Sequence, residues 1–328
     1  MKILITGGTG FIGSYLFRHC LDNGHQVTIC DNNLRGKKDA FIDDALKNTA
    51  ASFMKLDLTE ALDVEKLDKD YEIVFHLAAI NGTENFYKIP YSVMEVAIKS
   101  TMLLLEHFEN TGCKFIFSSS SEVYAGTIKS FPDLIPTPES VPCTIEDIKN
   151  ERFSYGGSKL ACEILLNSFS AQKKIEYQII RYHNIYGPRM GTKHVIPQFI
   201  HRAKNEDGSF VVYGGEQTRA FCHVDDAVRA TLDLAMSPSK NDIYHIGDDS
   251  QEIKIIEVAK MVLSYYNKEH NFEFRQPPPG SVARRCPDVT KIKSIVDYEP
   301  RILLSAGLLK TIEWYDKWFE TNDIGGIL

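Results

Sequence analysis

The chain has 328 residues, 43% of them hydrophobic and 25% charged, with a formal net charge of −7. That length and apolar content can bury one large core or two modest ones. The acidic balance and the lack of any long basic run argue against a nucleic-acid groove or a membrane-surface patch, and no apolar stretch is long enough to span a bilayer.

In chain order, Ile3 to Ile5 read as a buried strand that runs into Gly7, Gly10 and Gly13, with Phe11 to Leu21 as the helix that follows. Gln26 to Cys30 is a second strand ending at Asp31. Glycines between a strand and a helix let the backbone approach a pyrophosphate, whose charge then lies against the helix N-terminus. An acid at the second strand end suits a ribose diol, so the unit favours NAD over NADP, with only Arg35 and Lys37-Lys38 near enough to oppose repulsion of a 2′-phosphate. The cofactor contacts expected here are Gly7, Gly10, Phe11, Ile12, Gly13, Asp31 and Asn32. A strand and glycine loop at the N-terminus is not a signal peptide, and a cytoplasmic location is expected. The cysteines, seven in number, show no paired spacing and read as free or buried thiols.

Ala51 to Leu56, Glu72 to Leu77 and Lys114 to Ser118 read as further strands with helical stretches between them. Such alternation builds an α/β fold with a doubly wound parallel sheet, the Rossmann architecture. Strand carboxyl ends face the ligand crevice, which places Asp57-Leu58, Leu77, Ala78-Ala79 and Ser118 to Ser120 beside the cofactor. Pro90 to Asn110 and Ser158 to Ala171 have helical periodicity, and their apolar faces pack either on their own sheet or on a partner.

From Ile185 onward Pro188, Pro197, Tyr213-Gly214-Gly215, Pro238 and Pro277-Pro278-Pro279-Gly280 break the chain into short pieces, as in a smaller, less regular C-terminal lobe. Ile179 to Tyr182 and Ile243 to Ile246 are strand-like, so the expected division is a cofactor-binding unit over 1–184, rejoined by segments of about 218–248, and a lobe occupying most of 185–328.

Tyr155 and Lys159 lie four apart, on one face of a helix. A phenol ionises near pH 10, and a neighbouring ammonium favours its phenolate, so the pair reads as a base with its activating cation. His76, His183 and His223 sit in strand-like surroundings and read as core histidines, with no metal-ligand spacing in the chain.

Together the glycine loop, Asp31, Ser118-Ser119-Ser120 ahead of Val123-Tyr124, and Tyr155 with Lys159 resemble the extended short-chain dehydrogenases/reductases, more narrowly the NAD-dependent nucleotide-sugar epimerases and dehydratases. The resemblance continues through Asn184 to Arg189, Val212 to Gly215, Thr218 to Phe221, His223 to Asp226 and Arg285 to Asp288. It implies Ser120 hydrogen-bonding a sugar hydroxyl at C4, Tyr155 removing its proton, hydride passing to NAD, and Lys159 holding the cofactor ribose. It further implies a nucleoside-diphosphate sugar bound by Asn184, Arg189, Val195, Tyr213, Arg219 and Arg285, with Asn184 and Arg219 on the diphosphate. A homodimer and a place in polysaccharide biosynthesis are implied in the same way.

The step after oxidation turns on Glu122. Two residues beyond Ser120 in an extended segment it shares that side of the chain, where it can serve as a base at C5. Ser120-Ser121-Glu122 resembles the Thr-Ser-Glu of GDP-mannose 4,6-dehydratases and UDP-glucuronate decarboxylases, and Arg285 matches an arginine of the decarboxylases. Ala97, Ser100 and Ala125 depart from the family pattern without touching the oxidation residues. The expectation is epimerisation or dehydration of a 4-keto sugar; the alternatives are a net C4 dehydrogenase, a decarboxylase, or an NAD(H)-binding sensor without turnover.

Overall fold

The computed structural model describes residues 1–205, 208–269, 271–278 and 280–322; Pro279 of the proline run and residues 323–328 of the expected second lobe lie outside the described residues. Strands β1 (Lys2–Thr6) and β2 (Gln26–Asp31) flank helix α1 (Phe11–Asp22), the expected β-α-β unit with Asp31 at the end of β2. Next come α2 (Ala40–Ala45), β3 (Ala51–Lys55), α3 (Ala61–Val64), β4 (Ile73–His76), α4 (Thr83–Lys88), α5 (Pro90–His107) and β5 (Lys114–Ser120). A 3-10 turn over Ser121–Tyr124 leads to α6 (Ala125–Ser130), and α7 (Phe153–Lys173) begins ahead of the expected Ser158, so Tyr155 lies in its first turn.

The later chain alternates β6 (Glu176–Tyr182), β7 (Ile185–Tyr186), α8 (Val195–Asn205), β8 (Phe210–Tyr213), β9 (Thr218–Ala220), β10 (Cys222–His223), α9 (Val224–Met236) and β11 (Asp242–Ile246). It ends with β12 (Glu252–Lys254), α10 (Ile255–Tyr265), β13 (Phe272–Arg275), β14 (Arg284–Arg285), α11 (Thr290–Lys293) and α12 (Leu304–Thr321).

Among the described residues one sheet has seven strands in the order β11-β6-β5-β4-β1-β2-β3, all parallel. The chain winds outward from β1 to β3 and restarts at β4 on the other side of β1. That reversal splays the connections leaving β1 and β4 and opens a crevice at their carboxyl ends. Both sheet faces are covered, which is why the strands read as continuous apolar runs. On one face Ile3, Ile5, Val27 and Ile29 meet Leu16 and Phe17 of α1 and Ala227 and Val228 of α9. On the other Leu4, Val74, Phe115 and Phe117 meet Leu104 and Leu105 of α5 and Cys162 and Leu166 of α7. The apolar stripe of α5 left open by the sequence is therefore spent on its own sheet: Val93, Ala97, Thr101, Leu104 and Leu105 are buried, while Tyr91, Met94 and Met102 remain outside.

The C-terminal elements form small sheets, β10 with β7, β8 with β13, and β9 between β12 and β14, around a separate core in which α8, α10 and α12 contribute Phe199, Val262 and Leu308. α9 and β11 return to the large sheet, with β11 pairing against β6 at its edge. β9 stays in the lobe, where its parallel register with β14 sets Arg219 directly opposite Arg285.

Candidate active site

The glycine loop is fitted to a phosphate. Gly10 caps α1 without any side-chain hydrogen bond, so the first-turn N–H groups are left for an anion. Gly7 has φ +69°, and a Cβ on Gly13 would lie 2.2 Å from the Gly7 carbonyl oxygen, so backbone packs on backbone with no room for side chains. The Asp31 carboxylate accepts from Asn33 N at 2.8 Å and Thr9 N at 3.2 Å, leaving further lone pairs toward the cavity. Asp57 accepts from the Thr59 amide and hydroxyl at 3.0 and 2.7 Å, and these donors with Asn32 hold its pKa below the ordinary value against the opposing effect of burial.

A cavity of about 440 Å³ joins this loop to the expected catalytic residues. Its wall includes Gly7, Gly10, Phe11, Ile12, Gly13, Asp31 and Asn32 from the first unit, and Asp57, Leu58, Leu77, Ala78 and Ala79 from the next strand ends. Of the catalytic and substrate residues that the sequence singled out, Ser118, Ser120, Glu122, Tyr155, Lys159, Asn184, Arg189 and Arg285 also line it. Val195, Tyr213 and Arg219 do not line it. Val195 starts α8 and packs on the lobe core, whereas Tyr213 is exposed beneath the Arg275 guanidinium.

At the cavity floor Tyr155 stacks on Phe86, with ring centroids 4.8 Å apart, and the Ser120 side chain lies near enough to lower its pKa. Lys159 Nζ donates to the Ser118 carbonyl at 2.6 Å and lies 5.8 Å from the Tyr155 ring centre. One of the three ammonium donors is thus spent on the strand end, and the others remain on the side of the cavity that Tyr155 shares. Burial and the Glu122 charge push Tyr155 up to about 12, while burial drives Lys159 down to about 8. A cationic ligand beside Tyr155 is needed to bring its ionisation toward neutrality.

Glu122 also departs from expectation. Ser120 accepts from its amide at 3.2 Å and caps the 3-10 turn, so Glu122 sits on a turn and not on the extension of β5. Arg285 Nη1 donates to its Oε1 at 2.9 Å, and Arg152 Nη2 donates to both oxygens at 3.3 and 3.4 Å. Burial raises the carboxyl pKa, but Arg285, Arg152 and Arg219 outweigh it and hold Glu122 at about 2. A carboxylate so stabilised is a poor proton acceptor.

Three guanidinium groups therefore surround one carboxylate. Arg285 Nε and Nη2 and Arg152 Nε are buried without hydrogen-bond partners, and Arg219, which donates to Thr218 O and Gln217 Oε1, is lowered to about 9 by burial and by its cationic neighbours. Buried charges need partners, and this surplus is a site for an anion. Arg152 was missed in the sequence; the signal was its place one helical turn ahead of Tyr155.

The remaining expected contacts are already occupied. Asn184 adopts φ +44° and donates to Ala220 O at 3.2 Å, which couples the sheet end to β9. Arg189 pairs with Asp39 at 3.0 Å and donates to Ser14 Oγ and Lys37 O, a position against α1 and the β2 loop on the cofactor side. His76 is a core residue, held between Thr6 at 2.8 Å and Thr101 at 3.1 Å.

A phosphate loop at the switch point and a Ser-Tyr-Lys set whose tyrosine and lysine are buried define an oxidoreductase of the extended short-chain type. The model of the NAD dependent epimerase/dehydratase family matches residues 3–247, and the chain belongs to that family. UDP-N-acetyl-alpha-D-glucosaminuronate decarboxylase of Bacillus cytotoxicus is 32% identical over 328 residues, 96% of this chain and 97% of that protein. UDP-glucose 4-epimerase of Thermotoga maritima, solved with UDP-glucose, superposes with a TM-score of 0.83 at 32% identity over 97% of this chain and all of that one (100%). UDP-glucuronic acid 4-epimerase of Bacillus cereus, solved with UDP-glucuronic acid and NAD, gives 0.82 at 26% identity over 97% of this chain and 100% of that one. The protein is an NAD-dependent enzyme; when bound, NAD supplies a two-electron acceptor and a cationic ring.

Proposed function

We propose that the enzyme oxidises C4 of a UDP-linked hexuronate and that the 4-keto acid then loses carbon dioxide. The observation that carries this reading is the unpaired, buried guanidinium edge of Arg285 beside Glu122, itself close enough to Tyr155 to raise its pKa. A carboxylate on C5 adjoins the oxidised carbon, whereas the diphosphate on C1 lies across the ring. The surplus cation thus matches the substituent next to the reacting atom.

In this reading Ser120 orients the C4 hydroxyl and Tyr155 takes its proton. The ketone formed is β to the carboxylate, so the C5–C6 bond breaks with its electron pair entering the C4 enolate, carbon dioxide leaves, C5 takes a proton from water, and the hydride removed from C4 returns to it as Tyr155 gives back its proton. Glu122 holds Arg285 and Arg152 in place and does not act as the C5 base. The weak basicity of Glu122 speaks against dehydration, and the names of the relatives, uronate decarboxylases and a uronate epimerase among them, agree with a uronate.

We assign the cofactor to residues 1–184 and most of 185–328 to the sugar nucleotide. Tyr91, Met94 and Met102 of α5 with Ile164 of α7 are exposed apolar side chains that support a homodimer. Among the described residues no helix is long and apolar enough to cross a membrane. A cytoplasmic role in polysaccharide biosynthesis completes the proposal.

Incubation with UDP-glucuronate and a panel of other sugar nucleotides in deuterated water, read by mass spectrometry and NMR, tests it. Loss of carbon dioxide with deuterium at C5 is expected. Inverted C4 with the carboxylate retained, loss of water, or accumulated ketone with NADH would each replace decarboxylation by epimerase, dehydratase or net dehydrogenase chemistry; no turnover of any sugar would leave a sensor.

A further inference from the structure

Glu163 continues the stripe of α7 that carries Tyr155 and Lys159, two turns beyond the tyrosine, and its side chain is only 5% exposed. That stripe meets three consecutive serines at the end of β5, and two of its members are tied to them. Lys159 Nζ donates to Ser118 O at 2.6 Å, Glu163 Oε1 accepts from Ser119 Oγ at 2.5 Å, and Tyr155 shares the cavity wall with Ser120. From the adjacent strand β6, Arg181 closes on Glu163 with Nε at 3.0 Å and Nη2 at 2.5 Å, and it also donates to the Tyr124 hydroxyl. Ser119 follows Phe115 and Phe117 on the sheet face that α7 covers, as alternate strand side chains do, and so meets Glu163 directly.

We propose that Glu163 is a positioning residue for the oxidation step: braced by Arg181, it locks the Ser118–Ser120 strand end in register with the face of α7 that bears Tyr155 and Lys159. A planar, two-pronged pair is a rigid brace, since the guanidinium fork fixes orientation as well as distance. A shift of one ångström between Ser120 and Tyr155 is enough to spoil the geometry of proton removal. The carboxylate has a second effect on the same stripe. Lys159 faces Tyr155, Cys162 and Glu163 on α7, Ser118 on β5 and His76 on β4, and Glu163 counters the burial that favours its neutral form.

Two variants of the NAD-loaded full-length enzyme test the assignment. Ser119→Ala cuts the tie to β5 and leaves the Glu163–Arg181 pair whole; Glu163→Gln removes the charge. With UDP-glucuronate as substrate, Ser119→Ala is expected to lower kcat by roughly tenfold to a hundredfold, with KM and NAD affinity near the wild-type values. Phenolate absorbance, corrected with Tyr155→Phe, is expected to show Tyr155 ionising about one pH unit higher in both variants. That titration needs no substrate, so it still decides if UDP-glucuronate is not turned over, and Ser119→Ala alone decides if Glu163→Gln does not fold. Wild-type kcat and ionisation in the folded variants, or a parallel loss of kcat, KM, NAD affinity and melting temperature, overturns the proposal.

Discussion

Replacing Glu122 by glutamine removes the anion shared by three guanidinium groups, two of them buried and that of Arg219 half-buried, while keeping its size. The carboxyl group ionises at about 2 in place of 4.5. A difference of that size corresponds to about 3 kcal/mol of stability at neutral pH, at 1.36 kcal/mol per unit. The sign follows from the depressed folded-state value: the contribution is complete above the unfolded pKa and is lost as pH falls through the native one. Glu122→Gln should therefore melt about 4–5 °C below the wild type at pH 7, and the gap should close as both are acidified toward pH 2. Differential scanning calorimetry across that range measures it. An anionic sugar nucleotide should raise the melting temperature of the variant more than that of the wild type, because the unpaired guanidinium groups gain a partner. A variant that melts with the wild type at pH 7 would refute the view that these arginines depend on Glu122.

Three other outcomes follow from the site. Tyr155→Phe should cut turnover by about 10²- to 10⁴-fold while NAD titration by fluorescence quenching stays at wild-type affinity; unchanged sugar oxidation would remove Tyr155 as the base. Gly13→Ala puts a Cβ 2.2 Å from the Gly7 carbonyl, so calorimetric NAD binding should be lost; wild-type affinity would mean that the loop does not hold the pyrophosphate. Arg285→Gln should weaken binding of UDP-glucuronate by roughly 10- to 150-fold, the worth of a charged hydrogen bond, and leave UDP-glucose within about twofold; equal losses for both sugars would detach Arg285 from the C5 carboxylate.

The cofactor half was legible in the sequence because its signals are local. A strand, three glycines, a helix and an acid at the next strand end occupy the first 31 residues, and their spacing alone dictates the β-α-β unit. Tyr155 and Lys159 were equally plain, since four residues of helix bring them to one face. Val195 and Tyr213, carried over from a resemblance, lie off the cavity because a motif marks a segment of chain without saying where each side chain ends up.

What no local pattern could reveal is the charge state of the site. Glu122, Arg152, Arg219 and Arg285 come from a 3-10 turn, a helix start and two lobe strands, and only β9–β14 register together with packing of the lobe on the sheet brings them together. The sequence by itself determined the parallel sheet, the dinucleotide loop and the tyrosine-lysine pair, all set by periodicity and nearest-neighbour geometry. The tertiary structure alone decided that Lys159 is held by Ser118, that Glu122 is a clamped carboxylate and not a free base, and that Arg285 keeps an unpaired edge. Burial and long-range pairing govern ionisation, and both exist only after distant segments have folded against one another.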